Sequence, residues 1–144
     1  MKTAHIALAG LLAGVAVASS AETDVAMRID AGLWEITATE TSGDKAGAPS
    51  TGRRCLSSEM AAKGPEAMLL DGQPECSVTR SAMTGGKLDA LLQCDAGTDK
   101  ATTVAITASF APKSYEAVSK IVVLKTGAPT TVDVTAKWVG ACSS

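Results

Sequence analysis

Four cysteines, Cys55, Cys76, Cys94 and Cys142, set the tightest limit on what this chain can fold into. Their gaps of 21, 18 and 48 residues contain no close pair, and the sole histidine, His5, lies far upstream, so no zinc-type ligand set can be drawn from them. An even count without metal spacing reads as two disulfides, provided the chain reaches an oxidising compartment. The N-terminus supplies that condition. It carries one basic residue, Lys2, then a twelve-residue apolar run from Ile6 to Val17, then small residues at Ser19 and Ala21. That is the layout of a secretory signal, cut after Ala21 or after Ala18. The apolar run is shorter than the roughly 20 residues that span a bilayer, so it reads as a cleaved leader and not as an anchor. No cysteine near the cut offers a site for a lipid. The expected organisation is a signal peptide over residues 1–21, a polar lead over 22–31 and a single disulfide-stapled domain over 32–144, located in the periplasm.

Removal of residues 1–21 leaves 123 of 144, enough for one domain with a modest core. It also removes Lys2 and His5. Twelve basic residues then face fifteen acidic ones, a net charge of about −3 by side-chain counting, which favours neither nucleic acid nor an anionic membrane surface. Without histidine there is no Ser–His or Cys–His pair and no imidazole acid or base. The carboxylates Glu35, Glu40 and Asp95 are the remaining candidates for acid–base work, and they fall at solvent-facing strand or turn positions, where charges usually only solvate. The chain is therefore expected not to be an enzyme, with no catalytic residue, metal or cofactor.

The pattern along the chain is that of strands. In GLWEITATE, Trp34, Ile36 and Ala38 alternate with Glu35, Thr37 and Thr39, the period of a half-buried strand. TSGDKAGAPS, residues 41–50, has no apolar periodicity and reads as a long exposed loop; TGRRCL reads as a short second strand ending on Cys55. SSEMAAKGPEAMLLDG is the one helical stretch, capped by Ser57 or Ser58 and broken at Gly64-Pro65, with Met60, Met68, Leu69 and Leu70 over a sheet. The methionines read as core and not as a copper site, because no Met-x-Met spacing occurs. Five further strands follow Cys76, divided by Gly-, Pro- and Asp-containing turns. The last alternates Val132, Val134, Ala136 and Trp138 with Thr131, Asp133, Thr135 and Lys137; KIVVLK is apolar on both faces and reads as bulged or covered by the helix. The expected fold is mainly all-β: a curved antiparallel up-and-down sheet or incomplete barrel of about seven strands, with one short broken helix after the second strand.

Four cysteines allow three connectivities. If residues 76–83 and 87–94 form a hairpin across Thr84-Gly85-Gly86, paired positions sum to 170, which places Cys76 opposite Cys94, Val78 opposite Leu92 and Ala82 opposite Leu88. Directly opposed strand residues are within disulfide reach. Cys55 is then left for Cys142. The same register turns Arg80 toward the apolar face, as a rim residue whose stem snorkels outward or as an anion-facing arginine inside a ligand cavity.

These landmarks together resemble the small exported proteobacterial proteins grouped as domain of unknown function 3617. The resemblance rests on Gly32, Leu33, Trp34 and Glu35, on Cys55 followed by a short acidic helix at Glu59, on Cys76 opening a strand, on QCDAG at Cys94, on SYE at Tyr115, and on the closing Gly140, Ala141 and Cys142. It implies a periplasmic location and a mostly antiparallel fold, and no activity. Three functional expectations follow. The first is a non-catalytic, monomeric periplasmic module that binds a partner protein or a small apolar ligand, with Arg80, Trp34 and Trp138 as candidate contacts. The second is a lipocalin-like carrier of an apolar ligand. The third is an inhibitor or regulator of a cell-envelope enzyme, acting through the loop at 41–50.

Overall fold

A computed structural model of the chain describes residues 27–70 and 75–143. The expected leader over 1–21, both cleavage positions and residues 22–26 of the lead lie outside the described residues. In chain order the elements are β1 (Gly32–Ser42), β2 (Lys45–Ala46), β3 (Ser50–Leu56), α1 (Ser58–Lys63), α2 (Pro65–Leu70), β4 (Cys76–Thr84), β5 (Lys87–Cys94), β6 (Thr102–Ala111), β7 (Ser114–Val123) and β8 (Pro129–Gly140).

The fold is mainly β, as expected. Eight strands form one antiparallel sheet in the order β2-β1-β8-β7-β6-β5-β4, with β3 also paired to β1, and the sheet is not closed into a barrel. β4 to β8 form the predicted meander. The strand beyond the expected seven is β2, inside the segment read as a loop. Thr41 and Ser42 still belong to β1, the chain reverses at Gly43 in a left-handed conformation (φ +58°), and Lys45 and Ala46 pair back onto Ser42 and Thr41. The Gly47 amide donates to Glu40 O (2.7 Å), and β3 then pairs with β1 from Ala38 to Gly32. Residues 41–50 are thus largely the end of a hairpin. Low apolar content hid it, because a two-sided exposed hairpin has no hydrophobic period.

The helical stretch breaks as predicted. Ser57 Oγ accepts from the Met60 amide (3.1 Å) and caps α1; Gly64 (φ +93°) ends it, and Pro65, which has no N–H to satisfy, opens α2. β3 lies at one edge of the sheet and β4 at the other, so the helices must cross one face. Met60, Met68, Leu69 and Leu70 pack there against Trp34, Leu56, Leu92, Ile106 and Tyr115. The two disulfides, Cys55–Cys142 and Cys76–Cys94, are those expected. One sits just before α1 and the other just after α2, so the helical crossover is tied to the sheet at both ends.

Part of the lead is built into this core. Ile29 is buried, the Asp30 amide donates to Pro112 O (2.8 Å), and the indole N–H groups of Trp34 and Trp138 donate to Asp30 O and Ala31 O (3.0 Å each). The described residues of the lead therefore close the end of the sheet where β1 begins. Gly32 lies in that crowded place with φ +140°, and a Cβ there would strike the Trp138 indole nitrogen and Gly140 O. Only glycine fits, which is the physical reason for the glycine ahead of Leu33-Trp34-Glu35.

The β4–β5 hairpin departs from the single register predicted for it. Gly85 and Gly86 (φ +56° and +76°) make a two-residue turn, so Thr84 pairs with Lys87 and positions near the turn sum to 171. Cys76 nevertheless opposes Cys94, a sum of 170. A bulge between Val78 and Arg80 absorbs the odd residue, Thr79. Beyond it every side chain changes face: Met83, not Ala82, opposes Leu88, and Arg80 turns to the outer face, where it pairs with Asp89 at 2.9 Å. β7 shows no bulge. Its pairs run without a register shift from Ser114 to Val123, and Leu124 falls in the turn after it.

Candidate functional site

The helix-covered face carries the apolar alternation of every long strand. Ala136 pairs with Ile36 on one side and with Tyr115 on the other. Its small side chain lets the rings of Trp34 and Tyr115 meet across β8 at 5.8 Å between centroids, and Tyr115 continues to Phe110 at 5.5 Å. Three of the four aromatic residues thus form one row at the lead end of this face.

Two recesses remain between this face and α2. One, of about 250 Å³, is lined by Trp34, Ile36, Arg54, Leu56, Met68, Leu69 and Tyr115. The other, also about 250 Å³, lies toward the opposite end and is lined by Leu69, Cys76, Leu92, Val104, Ile121 and Val134 among others. Leu69 is the wall they share. Each is smaller than the roughly 300–1,000 Å³ of sites for drug-sized ligands, and a joined recess would fall within that range. Wider depressions of about 610 Å³ on the outer face over β4–β7 and about 660 Å³ between the lead and α1 are open to solvent and enclose less. The two recesses are therefore the better candidate for a ligand.

Of the three candidate contact residues, Trp34 lines a recess. Trp138 lies at the depression beside the lead, under the Lys113 ammonium at 4.6 Å from its ring. Arg80 stands on the outer face, 67% exposed in its side chain. The arginine at the recess is Arg54, which pairs directly with Trp34 and shares its face. It stands two residues before the buried Leu56 and so on the same face, but TGRRCL carries no apolar period from which the sequence alone shows that face. Its neighbour Arg53 points outward to Glu35 (3.2 Å), which also receives Lys137 (3.6 Å). Among the described residues no carboxylate lies within 4.0 Å of Arg54.

The carboxylates singled out in the sequence stand apart. Glu35 is tied between two cations on the outer face, Glu40 accepts from the Ser42 hydroxyl (3.4 Å), and Asp95 sits in the turn after β5, four strands across the sheet from β1. Among the described residues no group of three His, Cys, Asp or Glu side chains is placed to hold a metal ion.

Burial pushes the Tyr115 hydroxyl above the ordinary tyrosine value of 10.0, with the Arg54 charge pulling in the opposite direction. Tyr115 is the only tyrosine, so its ionisation can be followed alone by ultraviolet difference absorbance. The midpoint is expected above 10.0 in the folded protein. The folded state then holds its phenolic proton where the unfolded chain releases it. Stability is thus unaffected below about pH 10 and falls as pH rises toward the folded value, a loss that Tyr115→Phe removes. A midpoint at or below the free-tyrosine value would contradict this.

An open antiparallel sheet, crossed on one face by a short helical pair and stapled by a disulfide at each end of the crossing, defines a small cross-linked β module with a partly filled face. The chain belongs to the family of proteins of unknown function designated DUF3617, whose sequence profile matches residues 29–142. The matched span opens at the buried Ile29 and closes on Cys142, so it takes in both disulfides. Comparison with curated proteins and with solved structures returned no match.

Proposed function

We propose that the chain is exported through residues 1–21 and acts in the periplasm as a non-catalytic binding module, holding a small apolar ligand between its sheet and α2. The observation that carries this reading is the pair of apolar recesses on either side of Leu69. A face of this composition gains from covering apolar surface at roughly 25 cal/mol per Å². Two disulfides and a leader-like N-terminus support an oxidising compartment. The non-catalytic part rests on the sequence, whose only histidine stands at position 5, within the leader.

The ligand would lie under the helices and not inside a closed barrel, because β4 and β3 stay apart as edges. Protein purified from the periplasm of its own cells and sprayed under native conditions is expected to carry a bound small molecule that is released on unfolding. The same sample should begin at Glu22 or Ser19. A wholly ligand-free mass would overturn the ligand reading; an intact N-terminus in the cytosolic fraction would overturn export.

A further inference from the structure

We propose that the recess beside Trp34 takes an anionic amphiphile of the fatty-acid type, its alkyl chain over Leu56, Met68 and Leu69 and its carboxylate at Arg54. This deepens the apolar-ligand reading and rests on it. Among the described residues, Arg54 is the only charged side chain in the lining of either recess on this face. It opposes Trp34 across the β1–β3 pair and lines the same recess while remaining exposed to solvent, so a ligand in the recess can meet its charge without burying it completely. No described carboxylate lies within 4.0 Å of Arg54, a condition it shares with exposed cations such as Lys87 and Lys120, but neither of those lines a recess on this face. Tyr115 lines the same recess close enough to feel the Arg54 charge and adds a hydroxyl donor there.

Chemistry narrows the ligand from both sides. An uncharged hydrocarbon would cover the guanidinium without pairing it, which costs free energy. A polar anion such as a sugar phosphate would gain nothing from Leu56, Met68 and Leu69. A carboxylate on an alkyl chain satisfies both, because the guanidinium fork matches two carboxylate oxygens and the chain fills the apolar part. The recess holds about 250 Å³, so a longer chain must move Leu69 and enter the second recess, which has no charged side chain among its described lining residues. Leu69 is half-buried on the six-residue α2, so its movement gives up part of its packing on the sheet, which the alkyl chain replaces.

The test is a titration of the oxidised exported protein with octanoate and with octanol, followed by nuclear magnetic resonance at the Trp34 indole N–H. Octanoate is expected to bind more tightly than octanol. Arg54→Gln should weaken octanoate about tenfold, the loss of one charge-assisted pair at an exposed site, and leave octanol unchanged. Arg80→Gln should change neither. Unaltered octanol binding also shows that the variant has folded. If the two ligands bind the parent protein equally, or if Arg54→Gln leaves octanoate unaffected, the carboxylate assignment fails while the apolar-ligand reading stands. If neither ligand binds, both fail.

Discussion

Replacing Cys55 and Cys142 together by alanine is expected to lower stability by about 4–5 kcal/mol, against about 3 kcal/mol for the Cys76 and Cys94 pair, taking both as loop-closure entropy. The difference arises from the loops, with sequence separations of 87 and 18 residues. Typical domains hold only about 5–15 kcal/mol in total, so the first change removes a large share. It acts at a vulnerable place. The bridge fastens Cys142, beyond the end of β8, to the end of β3 just before α1. Urea unfolding of the oxidised variants measures both effects. Equal losses, or a larger loss for the hairpin pair, would show that loop length is not what sets their contribution. Alanine is the right replacement at Cys94, which is buried, because a serine hydroxyl there would add its own desolvation cost.

Trp34→Ala is expected to cost about 3–5 kcal/mol, the range for a large aromatic removed from a core. Trp34 is 2% exposed, touches Tyr115 and donates to Asp30 O, so it joins the sheet, the aromatic row and the lead. Trp34→Phe separates these roles. It keeps a ring against Tyr115 but cannot donate, so it should cost about 1–2 kcal/mol and loosen the lead. Urea unfolding gives the first quantity. Limited proteolysis near Arg28 gives the second, with faster cutting expected in the phenylalanine variant. A phenylalanine variant as unstable as the alanine one would place the effect in the hydrogen bond and not in the packing. A lead as well protected in the phenylalanine variant as in the parent protein would remove the tethering role.

The faces of the regular strands were legible in the sequence. Trp34 and Ile36 in β1, and Val134, Ala136 and Trp138 in β8, lie on the helix-covered face that alternation assigns to them. The helix break at Gly64-Pro65 and the four residues packing beneath it were equally plain, because caps and breakers act within a few residues of themselves. The candidate site was less legible. Arg80 was placed on the apolar face by extending one register through a hairpin, and a single bulged residue, Thr79, reversed it. Arg54 was overlooked because TGRRCL is polar and shows no period of its own; its face is set by pairing with Trp34.

Local chemistry therefore determined this protein's long strands, its helix break, the opposition of Cys76 and Cys94 and its membership of a family, since each depends on residues near in sequence or on the match of short motifs. Only the tertiary structure decided that the sheet stays open, that the lead closes one end of it, and which arginine stands at an apolar recess. Those outcomes depend on how distant segments meet. A shift of one residue in a strand exchanges its two faces, and no count of residues along the chain records where that shift falls.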